Sequence, residues 1–132
     1  MSHDRSRTLA LQNRSFEFTC GVIDAYPRTA RMDDPSRLIW RQLVKAASSA
    51  TFNLEEADAA SSDADFLAKM RIALREVKEA QVEIRVIVRC KLAGWNEVVR
   101  FQDEARQLAA IFATIIVNKK ASMLRKKRGA QS

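Results

Sequence analysis

Three glutamates, Glu76, Glu79 and Glu83, follow one another at spacings of three and four residues, which puts their carboxylates on one side of a helix. Carboxylates so placed can hold a hard cation or act as acid and base. The rest of the chain gives neither chemistry support. Di-iron bundles pair a glutamate with a histidine three residues on, and here that position is Glu79. The only histidine, His3, stands in the amino-terminal tail and reads as solvated, so the usual zinc and triad constellations cannot be assembled. No nucleophile–base pair or phosphate-cradling glycine loop accompanies the carboxylates. The expectation is a protein that is not an enzyme and has no metal or cofactor.

A second chemistry lies in KKASMLRKKR, residues 119–128. The net charge is +7, and all 16 acidic side chains fall within residues 1–104, where basic residues balance them. The excess is therefore Arg106, Lys119, Lys120, Arg125, Lys126, Lys127 and Arg128. A basic end on a neutral body attracts phosphate, and copies in an oligomer reinforce one another. It can equally be a solubilising tail that complements the negative end of the last helix. Few aromatic residues accompany these cations, so backbone contacts to RNA or DNA are expected rather than base stacking.

A third set is structural. Asn53 falls on what reads as an inner helical stripe, with Glu56 one turn later and Ser49 one turn earlier. Buried polar groups need partners. Asn53 and Glu56 are expected to face Glu76 and Glu79 across a helix pair, with Lys69 or an arginine balancing the charge. Glu55 reads as a solvated face.

Four helical runs must position these groups. Phe16, Cys20, Ile23, Pro27 and Ala30 alternate by four and three from about residue 12, and Pro27 should kink or end that helix. In the second run, after an Asp34 cap and Pro35, the inward set is Ile39, Leu43, Ala46, Ala50, Asn53 and Ala57. Ser62 and Asp65 resemble a capping box. The third run points Phe66, Met70, Ala73, Val77, Ala80, Ile84 and Ile87 or Val88 inward, with Gly94 as its stop and Asn96 as the next cap. The fourth points Val98, Phe101, Ala105, Leu108, Phe112 and Ile115 inward. Four amphipathic helices with short links predict an all-α, antiparallel up-down four-helix bundle. The expected division is a flexible tail over 1–11, a bundle domain over 12–121 and a basic tail over 122–132.

Composition agrees with this architecture. A chain of 132 residues suits one domain, and three glycines and two prolines are too few for a many-turned β fold. No segment reaches the ~20 apolar residues that span a bilayer, and the N-terminus lacks a signal-like apolar core. A cytoplasmic protein with no membrane role is expected. Cys20 and Cys90 read as buried, reduced thiols, and Trp40 and Trp95 as packing residues.

The segments RSFEFTCGVIDAYPR and RQLVKAASSATFNLEEADAASSDADFLAKMRIALREVKEAQVEI resemble the small bacterial four helix bundle protein family, first noticed in intervening sequences of large-subunit ribosomal RNA genes. Ser49, Asn53, Glu56 and Ala57 match its S-x-x-x-N-x-x-E-A motif, and Phe66, Lys69, Leu74, Glu76 and Glu79 its third helix. The chain departs from the pattern at Pro27 and at Gln81–Val82–Glu83, where members often carry a tyrosine–tryptophan pair. Members are similar to the accessory protein of diversity-generating retroelements, a barrel-shaped homopentamer that binds nucleic acid and a reverse transcriptase. The resemblance thus implies a ring of five bundles, with RNA or DNA and a reverse transcriptase as candidate partners. The competing reading is a structural or protein-interaction scaffold with no nucleic-acid role.

Overall fold

The computed structural model describes residues 2–131, and the side chains of all of these but 2–4, 29, 95 and 97. The expectations for the His3 and Trp95 side chains lie outside the described residues. Four helices follow one another: α1 (Ser2–Thr29), α2 (Asp34–Asp58), α3 (Asp63–Arg89) and α4 (Trp95–Gln131). No strand forms among the described residues; a lone antiparallel bridge joins Ala30 to Ala93. Each helix packs on its chain neighbour, and α1 returns to α4 along the loosest of the four seams. Cross-helix partners run antiparallel: Arg5 meets Asp58 while Tyr26 stacks on Trp40, with ring centroids 5.5 Å apart.

The core residues of α2, α3 and α4 follow the 4-3 rhythm. Leu43, Ala46, Ala50 and Ala57 face Met70, Ala73, Val77, Ala80, Ile84 and Ile87, and Val98, Phe101, Ala105, Leu108 and Phe112 complete the interior. The alanines of α2 let α3 approach closely, and this is the most extensive helix pair. Trp40 is fully buried and donates from Nε1 to the Leu92 carbonyl at 3.4 Å.

Helix α1 is rotated from its expected face. Ser15, Phe18, Thr19, Val22 and Ala25 are buried, whereas Phe16 and Ile23 are 51% and 45% exposed. Three hydroxyls join this face to α2. Thr51 of α2 donates from Oγ1 to the Ser15 carbonyl at 3.0 Å and shares hydrogen bonds with Ser15 Oγ at 2.8 Å and Thr19 Oγ1 at 2.9 Å. Thr19 Oγ1 also donates to the Ala47 carbonyl at 2.9 Å. These groups satisfy one another, so a polar strip occupies the α1–α2 seam.

The helix ends differ from the sequence reading in physical detail. Residues 2–11 continue α1 instead of forming a tail: Arg5 pairs with Asp58 at 2.6 Å, Gln12 donates to the same carboxylate at 3.1 Å, and Leu11 packs on the core. Pro27 sits two residues before the end of α1 and does not stop the helix at its own position. The cap of α2 is Asp33, not Asp34, its carboxylate accepting from Ser36 N at 3.0 Å. Ser62 caps α3 by accepting from Asp65 N at 3.0 Å. The left-handed residue after α3 is Lys91, with φ 56°, and not Gly94. Leu92 N bonds Ile87 O at 2.9 Å, closing a Schellman turn around Lys91. Asn96 lies inside the first turn of α4, which starts at Trp95. Both cysteines are free; Cys90 is exposed and Cys20 half-buried, against the expectation of buried thiols.

Candidate nucleic-acid interface

The last helix is the longest. At 1.5 Å per residue its 37 residues extend about 55 Å. Its core contacts thin beyond Ile116, where only Met123 still packs on the interior. Residues 122–131 nevertheless remain helical, so the cations are displayed on a fixed frame rather than on a loose tail.

That frame divides the seven candidate cations into two groups. Lys119 Nζ lies 2.8 Å from Asp63 and 5.0 Å over the Phe66 ring, and Lys126 lies 3.5 Å from the same carboxylate. The hydrogen bond from Lys119, with added attraction from Lys126, holds the Asp63 carboxyl below the usual carboxylate range. Arg106 pairs with Asp103 at 2.6 Å. Lys120, Arg125, Lys127 and Arg128 have no carboxylate within ion-pair distance among the described residues. Lys120 and Lys127, one heptad apart, stand with Arg71 of α3 around a groove of about 480 Å³ floored by Leu67, Ala121, Met123 and Leu124.

The expected polar set is brought together only in part. Lys69 Nζ lies 2.9 Å from Glu56, an exposed pair between α3 and α2. Asn53 is half-buried, and Leu54 takes the neighbouring core slot. The Asn53 amide donates within its own helix, to the Ser49 carbonyl at 2.8 Å and Ser49 Oγ at 3.4 Å, and not to Glu76 or Glu79. Among the described residues Glu76 has one cation within ion-pair distance, Arg75 at 3.6 Å. Farther along, Glu83 keeps Oε1 buried without a hydrogen-bond partner among the described residues. Burial, then repulsion from Glu79 and Glu76, pushes its carboxyl up to about 7.

The Ser15–Thr19–Thr51 cluster went unseen in the sequence because hydroxyl side chains carry no periodic signal of their own. Among the described residues no group of acidic, histidine and cysteine side chains is arranged to hold a metal ion. Among the same residues, no helix is long and apolar enough to cross a membrane.

Comparison with known proteins follows the same outline. No curated protein matches the sequence. Among solved structures, the crystal structure of a protein of unknown function from the S23 ribosomal protein family of Bacteroides thetaiotaomicron is similar, with a TM-score of 0.71 and 21% identity. The match covers 80% of this chain and 97% of that one, and it supports the fold. Residues 7–114 match the model of the 23S rRNA-intervening sequence proteins. With most of the chain inside that match, the protein belongs to the 23S rRNA-intervening sequence protein family.

Proposed function

We propose that the protein is a non-enzymatic, cytoplasmic assembly of four-helix bundles that binds RNA or DNA through the basic end of α4. The observation that carries this reading is the helical overhang on which, among the described residues, Lys120, Arg125, Lys127 and Arg128 stand in no ion pair. Phosphate contacts from such a rim give affinity that depends steeply on salt and little on sequence. Lys119 and Lys126 contribute to the field while tethered to Asp63, and Arg106 is directed to Asp103. The family name, with its link to ribosomal RNA, supports an RNA partner.

The assembly is proposed to be a homopentameric ring, as the family resemblance implies, with a reverse transcriptase as a candidate protein partner. Support for contact between copies comes from α1. Leu9, Phe16 and Ile23, seven residues apart, are 49%, 51% and 45% exposed along one face. Apolar stripes of this kind mark interfaces. The scaffold reading draws on the same stripe, so binding separates the two. The test compares the full chain with a Lys120→Gln/Arg125→Gln/Lys127→Gln/Arg128→Gln variant against structured RNA and duplex DNA across a salt series. Salt-dependent binding weakened in the variant, at unchanged assembly mass, supports the reading. No binding at low salt leaves the scaffold.

A further inference from the structure

Counted over residues 1–104, charge cancels. On the outward face of α3 it does not. Arg71, Arg75, Lys78, Val82, Arg85 and Arg89 recur at four and three residues, and every one of them is exposed. At 100° per residue they fall within about 80° of arc, on the side of α3 turned away from the core. No carboxylate stands at any of these positions. The acidic residues Glu76, Glu79 and Glu83 are gathered on the adjoining flank, with Glu79 at its border with Lys78. Among the described residues, Arg75 alone of these cations has a carboxylate within ion-pair distance, Glu76 at 3.6 Å, and its side chain remains 64% exposed. Arg71, Lys78, Arg85 and Arg89 have none within ion-pair distance among the described residues.

The stripe also joins the end of α4. Arg71 lines one groove with Arg75 and Lys78 and the next with Lys120 and Lys127. Because α4 runs antiparallel to α3, Lys120 to Lys127 prolong the line from Arg89 to Arg71. From Arg71 to Arg89 α3 rises about 27 Å and from Lys120 to Lys127 α4 rises about 10 Å, so the row is at least as long as one turn of a duplex.

We propose that the outward face of α3 is a second part of the nucleic-acid site, Arg71, Arg75, Lys78, Arg85 and Arg89 contacting the phosphate backbone of a duplex that continues onto Lys120 and Lys127. The proposal rests on the nucleic-acid reading above. A straight, rigid row of cations without an aromatic residue suits a regular backbone and offers single strands no stacking platform. All five α3 cations lie within residues 7–114, the part shared with the family, whereas Lys119–Arg128 lie beyond it.

The test uses four full-length proteins: wild type, the α4 variant above, an α3 variant (Arg75→Gln/Lys78→Gln/Arg85→Gln) and a control with equal charge loss on exposed positions elsewhere (Arg7→Gln/Arg41→Gln/Lys45→Gln). The probes are RNA and DNA duplexes of about 24 base pairs, some two helical turns, and single strands of equal length. Circular dichroism and assembly mass verify that the variants remain folded. The α3 variant is expected to bind duplex at least about 10-fold more weakly than wild type and to lower the salt slope by about 3, from three lost phosphate contacts. The control stays near wild type. If the α3 variant binds as wild type while the α4 variant fails, the α3 face is excluded and α4 binding stands. A control that weakens as much as the α3 variant overturns the proposal in favour of unspecific attraction. Tighter binding of single strands than of duplex overturns it as well. Wild type that binds no probe overturns both readings.

Discussion

Glu83 is the least comfortable residue of the bundle. Its carboxyl lies against α3's own glutamates with Oε1 buried and unpartnered, and its pKa stands at about 7 against an ordinary 4.5. The folded state therefore keeps a proton that the unfolded chain releases. Stability is highest below the unfolded value, falls as pH rises from about 4.5 to about 7, and is flat above. Glu83→Gln is expected to raise stability by about 1 kcal/mol at pH 8, after allowing for solvent around a half-buried group, and to change nothing at pH 4. Thermal melts at the two pH values check this. Thr51 makes the opposite case. Thr51→Val removes the hydroxyl that Ser15 and Thr19 share and is expected to cost about 1–3 kcal/mol, read from the urea midpoint. Asp63 bears on the proposed phosphate site. Asp63→Asn leaves the Ser62 cap intact, releases Lys119 and Lys126, and is expected to tighten duplex binding severalfold and steepen its salt dependence.

Among the elements, the turn after α3 stores a small strain. Lys91 adopts the left-handed conformation that glycine takes without a Cβ penalty. Lys91→Gly is expected to stabilise the protein by about 1 kcal/mol, measured by chemical denaturation. Gly94, without a positive φ, has no such role. The helices themselves were legible because Met70, Ala73, Val77, Ala80 and Ile84 repeat at helical spacing without competition. The face of α1 was not. Phe16, Cys20 and Ile23 form one 4-3 stripe and Phe18, Val22 and Ala25 another, and periodicity alone does not rank them; the second is the buried one, beside the Ser15–Thr19–Thr51 contacts. The α2 cap was blurred because Asp33 and Asp34 are adjacent and alike. The basic end of α4 was plain from composition, but not its division into cations held by Asp63 and cations left over, which depends on a partner more than fifty residues away. The α3 stripe was hidden for a simpler reason: a tally by segment cannot see charges sorted by face.

For the whole molecule, the bundle is a rigid frame that turns two kinds of surface outward. The apolar Leu9–Phe16–Ile23 row suits contact between copies, and the cations of α3 and α4 suit phosphate. If the first row assembles the protein, Phe16→Asp/Ile23→Asp is expected to reduce its mass in solution to that of the 14.9 kDa monomer while helicity is kept, as multi-angle light scattering will show. Dispersal of the assembly lowers apparent nucleic-acid affinity through lost multivalency, without touching a single cation. The most direct test of the account is binding of the intact protein to duplex RNA between about 50 and 200 mM salt. The account predicts tight binding at the low end that falls steeply across the range, and a markedly shallower curve for the Lys120/Arg125/Lys127/Arg128 variant. Absence of binding at about 50 mM salt, or binding that ignores both salt and the variant, would contradict it.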